Sequence, residues 1–132
     1  MIGLDTNVIV RYITQDDPAQ SAKATKLIES FSAETPGFIA AVAVVELVWV
    51  MQACYRASRQ AVGDMLETLL RTEELVVEHA ELIWQALRRF RTTPHADFAD
   101  CLIERCGHAA QCKYTATFDR NAAKAAGMKN IE

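Results

Sequence analysis

Met1-Ile2-Gly3-Leu4-Asp5-Thr6-Asn7-Val8-Ile9 opens the chain with a short apolar run that ends on residues able to cap a helix. Val8, Ile9, Tyr12 and Ile13 then recur at helical spacing, so the stretch reads as a strand followed by a helix. The same grammar repeats along the chain. Asp16-Asp17-Pro18 starts a second helix, with proline in the first turn and acids at the positive end of the dipole. Pro36-Gly37 stops that helical pattern and reopens the chain as a buried strand from Phe38. Residues 42–55 predict a core helix with Val44, Leu47, Val48, Met51 and Tyr55 on its apolar stripe, and Ser58 is placed to cap the next one. Leu75-Val76-Val77 is a short strand, and residues 81–90 form a helix with Ile83, Trp84, Leu87 and Phe90 inward. Pro94 introduces a helix over about 97–110, with Phe98, Cys101, Leu102 and Cys106 facing the core. Residues 113–118 alternate Tyr114, Ala116 and Phe118 with Thr115 and Thr117, which is strand periodicity, and Asn130-Ile131-Glu132 adds a last edge strand. Strands separated by helices predict an α/β fold with a parallel sheet covered on both faces, whose ligands bind beyond the carboxyl ends of the strands.

The chain has 132 residues, a length that makes one domain of 1–132, and no repeat or linker divides it. With 51% apolar and 23% charged residues it can bury a core, which excludes disorder. A net charge of −3 excludes a broad basic surface that coats nucleic acid, while leaving room for a local basic groove. Cys54, Cys101, Cys106 and Cys112 form no zinc pattern and no dense disulfide framework, so reduced thiols in the cytoplasm are expected. Residues 1–5 lack the pattern of a signal peptide, and the apolar stretch 38–55 carries Glu46 and Gln52, so no membrane span is expected.

The acids need more explanation. Asp5 and Asp119, each at the carboxyl end of a strand and before a helix, read equally well as caps. Glu46 is the one charged residue between Phe38 and Tyr55, and a carboxylate there either sits on a solvent-facing edge or points into a polar cleft. Asp97, Asp100 and Glu104 line one stripe of a helix, where like charges repel unless the dipole or a cation offsets them. If the first strand neighbours the one ending at Phe118, Asp5, Glu46, Asp100 and Asp119 gather at one mouth. Carboxylates so gathered need a divalent cation, and hard oxygen donors suit Mg²⁺ or Mn²⁺. Metal-assisted hydrolysis of phosphodiesters is the chemistry such a group supports.

These residues carry a resemblance. Ile2-Gly3-Leu4-Asp5-Thr6-Asn7-Val8, Val45-Glu46-Leu47-Val48-Trp49, Ala96-Asp97-Phe98-Ala99-Asp100-Cys101-Leu102-Ile103 and Thr117-Phe118-Asp119-Arg120 resemble, in order, the four acidic signatures of PIN-domain ribonucleases. Within that family the pattern is most similar to the VapC toxins of bacterial type II toxin–antitoxin modules. The resemblance implies a three-layer α/β/α fold with a central parallel sheet and a Mg²⁺-dependent endoribonuclease with Mn²⁺ as a substitute. It assigns Asp5, Glu46, Asp100 and Asp119 as catalytic metal ligands, with Asp97 as a further candidate ligand and Thr6 and Thr117 supporting the acids by hydrogen bonds. It also implies a homodimer inhibited by a VapB-type antitoxin. The sequence departs from the family pattern in its short end after Gly127.

Arg11 and Arg120 are candidate contacts for RNA phosphates, and Arg88, Arg89, Arg91 and Lys124 are weaker ones. A PIN-fold module that binds RNA or protein without cutting is the alternative reading. A haloacid-dehalogenase-like phosphatase with Asp5 as nucleophile is disfavoured because position 7 is Asn7, where that chemistry needs a second Asp. Setting aside Asp5, Glu46, Asp97, Asp100 and Asp119 turns the remaining charge from acidic to basic, so the net −3 is compatible with an RNA-cutting enzyme.

Overall fold

Side-chain caps set most of the helix starts in the computed structural model, which describes residues 1–132. Asp5, Asp17, Ser58, Asp97 and Asp119 each hold extended backbone and accept an N–H from the helix that follows. Each such cap contributes about 0.5–2 kcal/mol. The elements in order are β1 (Ile2–Gly3), α1 (Thr6–Thr14), α2 (Pro18–Glu29), β2 (Gly37–Ile39), α3 (Ala41–Tyr55), α4 (Arg59–Arg71), β3 (Leu75–Val77), α5 (Ala80–Thr92), α6 (Phe98–Ala109), β4 (Ala116–Thr117), α7 (Arg120–Ala126) and β5 (Lys129–Asn130). They fall into two compact units, Met1–Glu78 and His79–Glu132.

In the first unit β1, β2 and β3 form a parallel sheet in that order, with Ile2 opposite Gly37 and Ile39 opposite Val77. The α/β class read from the alternating pattern is therefore the class observed. Ile9 of α1, Ile39 of β2, Val44, Leu47 and Val48 of α3, and Val62 and Leu66 of α4 are buried. Each such side chain contributes roughly 1.5–3 kcal/mol relative to exposure. Gly37 is required where β2 begins, because a Cβ there would lie 2.5 Å from the Phe31 ring. Helix α3 lacks a side-chain cap of its own; instead Glu78 Oε1, just past β3, accepts the Ala41 N–H at 2.9 Å. A carboxylate is favoured at that positive helix end.

Tyr55 departs from the inward stripe expected of α3. It is exposed, and its hydroxyl donates to Asp16 at 2.6 Å and accepts from Arg11 at 3.3 Å. Those bonds tie the end of α3 to the end of α1. The Tyr55 and Thr14 hydroxyls and the nearby Arg11 hold the Asp16 carboxyl below the usual range.

The second unit is built on α5 against α6, where Phe90 and Phe98 meet edge to face at 6.1 Å. Ile83, Ala86, Leu87 and Cys101 complete that core. Strand β4 pairs in parallel with β5, and α7 lies between them in the chain, closed by Gly127 in the left-handed conformation at φ 81°.

Three expectations are corrected here. First, β1 and β4 are not hydrogen-bonded neighbours: β1 pairs with β2, and β4 takes β5, which donates Lys129 N–H to Thr115 O and Ile131 N–H to Thr117 O. Second, the strand over 113–118 shortens to Ala116–Thr117, with Tyr114 and Phe118 47% and 69% exposed and Thr115 and Thr117 partly covered. Helix α6 approaches Thr115 closely, since a Cβ on Gly107 would sit 2.5 Å from its Oγ1. The Tyr114 ring receives the Lys129 ammonium at 4.5 Å. Third, Cys106 is exposed, because at that level of α6 the packed position is Gly107 and the buried face ends at Leu102. All four cysteines are free thiols, and no helix is long and apolar enough to cross a membrane.

Candidate active site

In the first unit the end of β1 delivers Asp5 to the N-terminus of α1. Its Oδ1 accepts the Thr6 N–H at 2.8 Å. The buried Thr6 also turns its hydroxyl to Glu46, donating to Oε1 at 2.8 Å. Thr6 thus joins two acids that lie 41 positions apart in sequence, binding one through its backbone and the other through its side chain. Glu46 is solvent-exposed, on the polar edge of an otherwise apolar helix. The short strand β2 and the Glu78 cap determine where α3, and with it Glu46, begins its turn.

In the second unit Asp97 and Asp100 sit at the start of α6 and Asp119 at the start of α7. Asp97 Oδ2 accepts the Asp100 N–H at 3.1 Å. Asp119 Oδ1 accepts from Asn121 and Ala122 at 2.7 and 3.1 Å, and its own N–H donates to Thr117 Oγ1 at 3.0 Å. Asp100 receives no such cap duty. Its carboxyl is held above the usual range, first by partial burial and then by the negative charges of Asp97 and Asp119. Asn121 secures this group by donating from Nδ2 to His95 O at 2.9 Å, which fixes the start of α7 to the loop before α6.

Hydrogen bonds occupy one oxygen each of Asp5, Glu46, Asp97 and Asp119. Nowhere are three His, Cys, Asp or Glu side chains grouped so as to hold a metal ion. Asp5, Asp97 and Asp119 each turn an oxygen to a helix end, Glu46 turns one to the Thr6 hydroxyl, and within the second unit the charges of Asp97 and Asp119 act on Asp100. The donor chemistry nevertheless fits a hard divalent cation. Every candidate ligand is a carboxylate oxygen, the donor type that hard divalent cations take.

A family model for the PIN domain matches residues 2–128. The chain belongs to the PIN domain family. A search of curated proteins returned no match. PIN domains are commonly metal-dependent nucleases, which places this one in the general class of hydrolases acting on nucleic acid.

Two basic candidates of this PIN domain are already engaged. Arg11 pairs with Asp16 at 3.2 Å and donates to Gln20 and Tyr55, and Arg120 lies 3.7 Å from Glu132 on the surface. Glu104, the third acid of the α6 stripe, is matched by its neighbour Arg105 at 2.7 Å and stands apart from the Asp97, Asp100 and Asp119 group. Glu78 and Asn121 were not among the sequence candidates. Each acts across more than 20 positions, on a backbone group whose location only the fold supplies.

Proposed function

We propose that residues 1–132 act as one PIN domain, a Mg²⁺-dependent endoribonuclease toxin of the VapC type that cuts cellular RNA. On this reading it works in the cytoplasm as a homodimer and is silenced by a VapB-type antitoxin. The observation that carries the reading is the PIN-domain match over residues 2–128, within which Asp5, Glu46, Asp100 and Asp119 stand at the four acidic signatures. Asp5, Glu46, Asp100 and Asp119 would hold the ion, with Asp97 adding negative charge beside Asp100. A bound divalent ion supplies an activated water and a clamp on the scissile phosphate. Thr6 keeps Glu46 oriented, and Thr117 anchors the backbone of Asp119, so the acids enter the reaction with few rotamers to lose.

Purified protein incubated with total RNA should cut it in Mg²⁺ or Mn²⁺ and stop on addition of EDTA. Failure with both ions, in a preparation free of other nucleases, would discard the enzyme reading. It would favour a non-catalytic PIN module, toward which the capping duty of Asp5, Asp97 and Asp119 already points. Thr6→Val gives a finer test. It keeps the N–H that binds Asp5 and removes the hydroxyl that binds Glu46, so about 10–100-fold in metal affinity or cleavage should be lost. The stability cost should stay near 1 kcal/mol. A variant as active as wild type across a Mg²⁺ titration would deny Thr6 that positioning role.

A further inference from the structure

The C-terminal halves of α5 and α6 flank an open polar groove of about 510 Å³, lined by Gln85, Arg88, Arg89, Thr92, Arg105 and His108, with Glu104 as its one carboxylate. Local pairing does not neutralise it. Arg105 takes Glu104 for itself through Nε and Nη2 at 2.7 and 3.2 Å. Arg88 is 63% exposed and only 3.9 Å from the surface residue Glu81. Arg89 is steadied by donating from Nε to Ala125 O at 2.9 Å, and its Nη2 end lies against Gly127, where a Cβ would approach to 3.5 Å. Cations near helix C-termini gain from the dipole, which explains Arg89 in the last turn of α5. It does not explain why Arg88 and Arg105 line the same space.

We infer that this groove binds the phosphodiester backbone of a single-stranded RNA. The Arg88 guanidinium, and the edges of Arg89 and Arg105 that Ala125 and Glu104 leave free, can donate to phosphate oxygens. The volume is many times the roughly 30 Å³ share of one water, room for a phosphodiester with its sugars. A smaller cavity of about 120 Å³ shares Glu104 and His108 and adds Lys113 and the half-exposed Tyr114 ring, a surface on which a base can stack. Asp100, Glu104 and His108 follow one another at four-residue intervals on one face of α6. The groove therefore begins about 6 Å along the helix from Asp100. A strand placed at Asp100 continues over the arginines. The inference rests on the nuclease reading for the identity of the strand.

The test is binding of a labelled twelve-nucleotide single-stranded RNA in EDTA, followed by fluorescence anisotropy across a salt series. Arg88→Ala and Arg105→Ala should each weaken binding several-fold and together about tenfold or more, with the salt slope falling by about 0.7 for each phosphate no longer neutralised. Lys26→Ala, which removes an exposed cation of α2, should leave both quantities unchanged. The inference is overturned if the double variant keeps wild-type affinity and slope, or if Lys26→Ala weakens binding equally. Arg88→Ala alone, at an exposed position, suffices should the double variant fold poorly. Cleavage in Mg²⁺ separates the two readings. Unaltered binding by the variants of a protein that cuts RNA removes the groove alone, whereas the expected binding loss in a protein that cuts nothing removes the nuclease alone.

Discussion

Asp100→Asn and Glu46→Gln should each lower the rate of RNA cleavage by about 10³-fold while the protein stays folded. A metal ligand contributes several kcal/mol of transition-state charge stabilisation, and each 1.36 kcal/mol is a factor of ten. The two positions are chosen because neutralising them leaves local structure intact. Asp100 makes no cap and is repelled by Asp97 and Asp119, so the amide should melt at or above the wild-type temperature in metal-free buffer. Glutamine at 46 still offers an oxygen to the Thr6 hydroxyl. Addition of Mn²⁺ should raise the melting temperature of the wild type and not that of Asp100→Asn, because a ligand stabilises only the state that binds it. Asp5→Asn and Asp119→Asn extend the series, since asparagine caps a helix as well as aspartate does, whereas alanine would add a stability loss of about 0.5–2 kcal/mol. Wild-type cleavage by both Asp100→Asn and Glu46→Gln would end the proposal.

The second large effect is on stability. Phe98→Ala should cost about 3–5 kcal/mol in a urea titration, out of a total of roughly 5–15 kcal/mol for a domain of this size. Phe98 is 1% exposed, meets Phe90 at an interplanar angle of 86°, and is the first residue of α6, directly after the Asp97 cap. Its removal opens a cavity beneath the helix start that carries Asp100. Ile103→Ala, one and a half turns on but 54% exposed, should change stability by no more than about 0.5 kcal/mol. A loss of under 1 kcal/mol at Phe98 would mean that the edge-to-face pair does not organise this unit.

The helices were legible because their signals are local. A capping side chain lies within three residues of the N–H it binds, so Asp5, Asp17, Ser58, Asp97 and Asp119 could be read directly as helix starts. The pairing of strands was not legible, because β1, β4 and β5 are two residues each and their partners are chosen by packing far along the chain. Residues 113–118 show the failure most clearly. Their alternation does mark two faces, but the close approach of Gly107 to Thr115 comes from outside the segment, and nothing within it reports that glycine. For the site, the identity of the acids could be read and their partners could not: the Thr6 bond to Glu46 spans 40 residues and the Glu78 bond to α3 spans 37. Tyr55 falls on the helical stripe by spacing, yet its hydroxyl draws it outward to Asp16 and Arg11.

Asp5, Asp97 and Asp119 each hold a helix end as well as standing among the candidate ligands. Their loss would cost helix stability whether or not they bind a metal. Glu46 and Asp100 make no helix cap, and Asp100 carries a cost in repulsion. Substitution at Glu46 or Asp100 would therefore report on chemistry with little change in stability, whereas substitution at Asp5, Asp97 or Asp119 would report on both at once.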